Sequence, residues 1–391
     1  MKLRSFLVLD DATVFKGYSF GAEPLPALAL ADATDVKFKG AGELVFNTAM
    51  TGYHEVLTDP SYTGQIVLMT YPHMGNYGDS DPWSEIGPER VGLSGVKPAG
   101  LVVRKLYSGP VPDDRESLHD FLKKHDTPGI TDVDTRAITL KTRDEGARSC
   151  VIVSAADGRS LSKAELDACM SYLKGFPKME GRSLVSEVGS DTSVVAAEGS
   201  GGPHIALLDC GSKANIIREL SALGCKVTLL PAAATAEEVR STGADAVLVS
   251  NGPGDPATLE TNVGMIQTLV GQMPVLGICL GHQLIAQAIG ASTYKMKFGH
   301  HGVNHPVRDE LTKRVFVTSQ NHGFSVHEDS LPSGCQVWFR NANDKTIEGL
   351  VDDSRGIRTT QFHPESAPGP ADSRWIFEAF LETVGSAGAK H

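Results

Sequence analysis

The chain has 391 residues, 41% of them hydrophobic and 21% charged, and a formal net charge of −11. That length predicts two or three domains of an ordinary globular protein. The acidic charge argues against a nucleic-acid binder, and no apolar run nears the roughly 18 residues a membrane span needs.

Taken in order, the N-terminus (Met1, Lys2, Leu3, Arg4) is basic, but its apolar run is too short for a signal peptide. Short β-rich runs follow at residues 5–9, 44–46, 65–70 and 100–103, with one helical stretch at 117–124. This half reads as a β-rich N-terminal domain, residues 1–186. Residues 187–203 are polar and glycine-rich and are expected to be a linker or long loop.

From residue 204 the pattern alternates. Strands are expected at 204–208, 226–230, 246–250 and just before Cys279, and a further strand over 359–362. Helices are expected at 215–223, after Thr235, at 260–271 and after Cys279. Thr235 with Glu238 three residues on is a capping box. Such alternation predicts an α/β domain over 204–391, a doubly wound, mostly parallel sheet covered on both faces. Ligands of such sheets bind beyond the carboxyl ends of the strands.

Two of those ends carry chemistry. Residues 277–283 read Gly-Ile-Cys-Leu-Gly-His-Gln, a cysteine at a strand-to-helix turn with glycine two residues away on each side. This is the thiol form of a nucleophile elbow. The helix start offers N–H donors and a positive dipole end, which stabilise a thiolate. A buried structural cysteine is the plainer alternative, and the flanking glycines weigh against it. The second end is residues 251–256, Asn-Gly-Pro-Gly-Asp-Pro, after a strand. A plain turn is the alternative there.

A thiol nucleophile needs a base. His363, Pro364 and Glu365 follow the last expected strand, and in an extended segment residues i and i+2 face one side. Cys279 as nucleophile, His363 as base and then acid, and Glu365 orienting the imidazole make a coherent triad. Leu280, after the nucleophile, supplies one oxyanion N–H in the elbow geometry. Gln283 lies at i+4 from Cys279, on the same helix face.

These motifs, with Ser319-Gln320-Asn321-His322-Gly323-Phe324, resemble the class I (triad) glutamine amidotransferases, which release ammonia from the glutamine side chain. The resemblance implies glutamine contacts at Gly252, Gly254, Leu280, Gln283, Asn321, Gly323 and Phe324, with Gly254 the second oxyanion donor. The first half, at residues 46–55, 57–62, 70–78 and 129–137, is similar to the small-chain family of carbamoyl phosphate synthetases. That implies a heterodimer with a large subunit, which takes the ammonia and uses bicarbonate, ATP and Mg to make carbamoyl phosphate for arginine and pyrimidine synthesis. No cofactor is expected in this chain, and no GxxxxGK[ST] phosphate loop appears in it.

Three positions depart from the family. Ala49 stands where a serine near the bound glutamine is usual, Val303 where a glycine is common, and Ala12 where a turn glycine is usual. At Ala49 only backbone or surface contact with substrate is left. His300, His301 and His305 cluster, but their spacing is not a zinc motif, so no metal is expected. Six cysteines without CxxC spacing fit a reducing cytoplasm. Two rivals remain at this stage: a stand-alone cysteine hydrolase, and a non-catalytic regulatory subunit.

Overall fold

The computed structural model describes residues 3–31, 39–86 and 95–388. The chain divides into two units. Among the described residues, the first holds those before residue 85 together with 95–182. The second holds residues 85–86 and 183–388.

The first unit is a closed barrel. Its strands are β1 (Arg4–Leu9), β2 (Val14–Gly21), β3 (Ala41–Asn47), β4 (Gln65–Met74), β5 (Gly100–Leu106), β6 (Pro128–Thr131) and β7 (Arg148–Val153). They run in the order β1-β2-β6-β5-β4-β3-β7, and antiparallel pairing of β1 with β7 closes the ring. Closure removes the free edges that a β-rich domain would otherwise expose. Leu7, Leu9, Leu44, Ile66, Leu68, Val102, Ile130 and Ile152 fill one core. Alternate residues such as Phe6, Val8, Val151 and Val153 face the other way.

Among the described residues, four α-helices accompany the barrel: α1 (Tyr53–Thr58), α2 (Leu118–Lys124), α3 (Thr135–Glu145) and α4 (Lys163–Gly175). The expected helix at 117–124 is α2, with Ser117 as its N-cap. The sequence reading missed α1, α3 and α4, although Ser162 and Glu165 form a full capping box at the start of α4.

The second unit has a ten-stranded sheet. Its strands are β8 (Val194–Glu198), β9 (His204–Asp209), β10 (Lys226–Pro231), β11 (Ala246–Val249), β12 (Val275–Ile278), β13 (Thr293–Asp309), β14 (Val315–Val326), β15 (Gln336–Asn341), β16 (Ile347–Asp352) and β17 (Ile357–Thr360). Strands β10, β9, β11, β12 and β17 are parallel neighbours. Antiparallel strands extend this parallel centre on both sides.

The helices of this unit are α5 (Ala214–Ala222), α6 (Ala236–Ser241), α7 (Glu260–Leu269), α8 (Leu280–Ala288) and α9 (Trp375–Gly388). Period-two alternation sorts the strands between two cores. Ile205 and Leu207 pack with Ile216 and Leu220 of α5 and Phe377 and Phe380 of α9. Ala206 and Leu208 pack on the other face with Val239 of α6, Ile266 and Leu269 of α7 and Leu284 and Ile285 of α8. Helices therefore cover both faces, which is the doubly wound arrangement.

One expectation is corrected here. The stretch 187–203 is not a linker: β8 lies inside it and pairs antiparallel with β10. Its four-residue run Val194-Val195-Ala196-Ala197 is short, but the edge of β10 offers a ladder to complete. The polar, glycine-rich flanks are the turns into and out of that strand. Among the described residues, no helix is long and apolar enough to cross a membrane.

Candidate active site

The site lies where the parallel strands end. Strand β12 stops at Ile278, and Cys279 turns the chain into α8 with φ 55° and ψ −104°. A side chain at such a φ costs on the order of 1–3 kcal/mol, a strain that accumulates at functional turns. Two hydrogen bonds hold the turn. Cys279 N–H donates to Thr360 O at 2.8 Å, and Gly281 N–H donates to Ser250 O at 3.0 Å. A Cβ on Gly281 would stand 2.1 Å from Val249 O, so only glycine lets the helix start sit against β11. Cys279 is 2% exposed.

Strand β17 ends at Thr360, earlier than expected, and His363 and Glu365 lie in the turn beyond it. The expected extended geometry of these two residues is thus replaced by a turn through Pro364. His363 Nδ1–H still donates to Glu365 Oε1, at 2.6 Å. The His363 backbone N–H donates to Ser319 O of β14 at 2.9 Å, which fixes the ring's base.

Both side chains are buried, and their charges decide each other's protonation. Burial alone would lower the His363 pKa; the Glu365 carboxylate, and after it Cys279, outweigh burial and push it up to about 10. Among the described residues His363 Nε2 has no partner within strict hydrogen-bond geometry, although Cys279 is one of the groups that raise its pKa. Loose contacts of this kind are common before substrate binds. Burial would raise Glu365, but Lys213 and His363 hold it down at about 2. Lys213 Nζ stands 3.1 Å from Glu365 Oε1 and also donates to Ser366 O. The arrangement can keep an imidazolium beside the thiol, the charge state a thiolate nucleophile needs.

The expected substrate residues are placed as follows. Leu280 opens α8. A Cβ on Gly252 would stand 2.1 Å from Cys210 O and 2.9 Å from Leu280 Cδ2, so the 251–256 loop lies against the elbow. Gly254 has φ 94° and bridges Ser183. Gln283 Nε2 donates to Phe324 O and Gln361 Oε1, each at 3.0 Å, tying α8 to β14 and to the segment after β17. Asn321 O faces the Cys279 Sγ at 3.5 Å, and its Oδ1 accepts from His301 Nδ1 at 2.9 Å. Gly323 leaves room for Lys295, whose Nζ lies 5.1 Å over the Phe324 ring. All these residues belong to the second unit; Ala49 belongs to the first. There Ala49 is fully buried, and its N–H donates to Asn47 Oδ1 at 2.7 Å.

Two family models match this chain. Residues 206–383 match the one described as "Glutamine amidotransferase class-I". Residues 7–152 match "Carbamoyl-phosphate synthase small chain, CPSase domain". The carbamoyl phosphate synthase small chain of Methanocaldococcus jannaschii is 42% identical over 381 residues, covering 97% of this chain and 99% of that protein. The small chains of Methanopyrus kandleri and Akkermansia muciniphila are each 41% identical, the latter over the full length of both chains. The chain belongs to the family of carbamoyl phosphate synthase small chains. It is a glutamine-hydrolysing amidotransferase chain of a ligase complex.

For a small chain of this family, sequence reasoning singled out Cys279, His363 and Glu365 and missed the residues that hold them in place. Lys213, Asn215, Gln361 and Asn251 had no role assigned. Asn251 Oδ1 accepts from Lys213 N–H at 3.0 Å, and its Nδ2 donates to Gly211 O at 3.0 Å. Asn215 Nδ2 donates to Glu365 O. The available signal was position, since residues 210–213 follow β9 at the same end of the sheet as Cys279.

The histidine cluster draws in residues that sequence spacing does not bring together. Donor atoms of His300, His322 and Glu348, rather than of His300, His301 and His305, come within 4.8 Å of one another. They are engaged in a buried network. His300 Nε2 lies 2.8 Å from Asp344 and its Nδ1 3.3 Å from Glu348, while His322 Nδ1 donates to Phe324 O at 2.8 Å. Burial opposes the His300 charge, but Asp344 and Glu348 push its pKa up to about 9. The motif histidine His282 is the reverse case. It is fully buried, 2.8 Å from Thr359 Oγ1, and burial pushes its pKa down to about 3.

Proposed function

We propose that this chain hydrolyses the side-chain amide of L-glutamine through a thioester on Cys279 and delivers the ammonia to a large synthetase subunit. The observation that carries the reading is the strained Cys279 turn facing a buried, charge-coupled His363–Glu365 pair.

In this reading the Cys279 thiolate attacks the amide carbon of glutamine. The oxygen becomes negative, and the backbone N–H groups of Leu280 and Gly254 stabilise it. His363 gives its proton to the leaving nitrogen, so ammonia departs and a γ-glutamyl thioester remains. Water then attacks the thioester with His363 as base, releasing glutamate and the thiol. Glu365 keeps the imidazole oriented and charged throughout, as the acid does in other nucleophile triads. Gln283, Asn321, Gly323 and Phe324 border the substrate. ATP and Mg act in the large subunit, which joins the ammonia with bicarbonate to form carbamoyl phosphate.

The test separates the two sites. Cys279→Ser, assayed with the large subunit, is expected to lose glutamine-dependent carbamoyl phosphate synthesis and to retain synthesis from added ammonium. Serine is far less nucleophilic in surroundings built for a thiolate. Glutaminase activity above a few per cent of the parent would remove Cys279 from its role. Loss of the ammonium-dependent rate would mean that the substitution acts beyond the glutaminase site.

A further inference from the structure

Glu85 belongs to the second unit although its neighbours in sequence, β4 and β5, are barrel strands. It is 1% exposed. Its contacts converge on the start of α5. The Glu85 carbonyl accepts from Ala214 N–H at 2.8 Å, and its Oε2 accepts from Asn215 N–H at 3.2 Å. Its Oε1 accepts from Arg218 at 3.0 Å. Lys213, at the N-cap position, gives no side-chain cap. Glu85 therefore satisfies two of the open N–H groups of that helix from a distant part of the chain.

The same helix start holds Glu365. Lys213 pairs with its carboxylate, and Asn215 donates to its carbonyl. Each of these residues thus reaches the triad, and the turn that carries them is fixed by Glu85. A serine or asparagine cap would satisfy the helix without burying a charge. A carboxylate in this place also stands among charges: Lys213 and Arg218 favour its ionised form, and Glu365 opposes it. Burial raises the Glu85 pKa to about 7, opposed by Lys213 and Arg218.

We propose that Glu85 is a positioning residue of the glutaminase reaction: it clamps the first turn of α5 so that Lys213 and Asn215 hold Glu365 behind His363. The proposal rests on Glu365 being the group that orients His363. It ties that group to a segment whose sequence lies within the barrel half of the chain.

The experiment uses the full chain with its large subunit and measures kcat, KM, the pH profile of kcat/KM, the ammonium-dependent rate and Tm. Glu85→Ala is expected to lower glutamine-dependent kcat about 10-fold or more with KM changed less than about threefold, as for a displaced reacting group. It should also move the profile limb belonging to His363 to lower pH by about 0.5 unit or more, because a misplaced Glu365 supports the imidazolium less. The ammonium-dependent rate should hold. Glu85→Gln keeps an acceptor for Asn215 N–H and should recover part of kcat while shifting the limb in the same direction. It also serves as the test should Glu85→Ala not fold.

A fall in Tm with an unmoved pH profile would make Glu85 merely structural and overturn the proposal. Glu365→Gln, run in parallel, separates the premises. If Glu365→Gln moves the profile and neither Glu85 variant does, the Glu85 proposal alone falls. If Glu365→Gln leaves the profile unmoved, the orienting role of Glu365 falls and takes the proposal with it.

Discussion

Replacing Gly281 by alanine tests whether backbone packing sets the position of Cys279, the proposed nucleophile. Intrinsic helix propensity favours the alanine by about 1 kcal/mol, because Gly281 lies in the first turn of α8 at an ordinary φ. The tertiary structure predicts the opposite sign. The new Cβ would lie 2.1 Å from Val249 O and 2.7 Å from Val249 C, where real Cβ contacts stay beyond 3.0 Å. Val249 belongs to β11, paired on both sides by β9 and β12, so the strand is the harder of the two to move. The start of α8 must then back away by about 1 Å, and a displacement of that size at a reacting group costs about 100-fold in rate. Overpacking of this kind also costs about 1–3 kcal/mol of stability. The assay is glutamate release per folded chain, with Tm recorded alongside and ammonium-dependent synthesis as the control. A folded Gly281→Ala chain within threefold of the parent kcat would show that the elbow tolerates the shift and that the steric argument is wrong.

The buried His363–Glu365 pair should leave its mark on stability. Folding raises His363 from 6.5 to about 10, so its contribution is complete below pH 6.5 and lost as pH rises toward 10. Folding lowers Glu365 from 4.5 to about 2, so its contribution is complete above pH 4.5 and lost as pH falls toward 2. The Tm difference between the parent and His363→Asn should therefore be largest between pH 4.5 and 6.5; a difference that grows above pH 6.5 would contradict the charge assignment. At the β1–β2 turn, Ala12 sits at φ 65°, where a side chain costs about 1–2 kcal/mol and glycine costs nothing. After glycine's greater unfolded-chain entropy is subtracted, Ala12→Gly should stabilise the chain by about 0.5–1 kcal/mol in denaturant unfolding; a lower midpoint would refute it.

The sequence by itself determined the sheet and singled out the candidate triad at its end. Gly277, Cys279 and Gly281 are legible because a cysteine between two glycines at a strand-to-helix turn is a local pattern, and β9, β10, β11 and β12 because alternating strands and helices carry their periodicity in a short window. Only the tertiary structure decided what holds those groups. Glu85, Lys213 and Asn215 reach Glu365 across stretches of chain that share no local pattern, and a buried charge reveals its partner only when the fold supplies one. The same reason hid β8, whose polar, glycine-rich surroundings read as linker until the edge of β10 gave its backbone groups somewhere to bond. His300, His322 and Glu348 likewise come from three separate strands, so spacing along the chain could not show that they meet. Local chemistry is written in local sequence; the support of a buried site is a property of contacts that close only on folding.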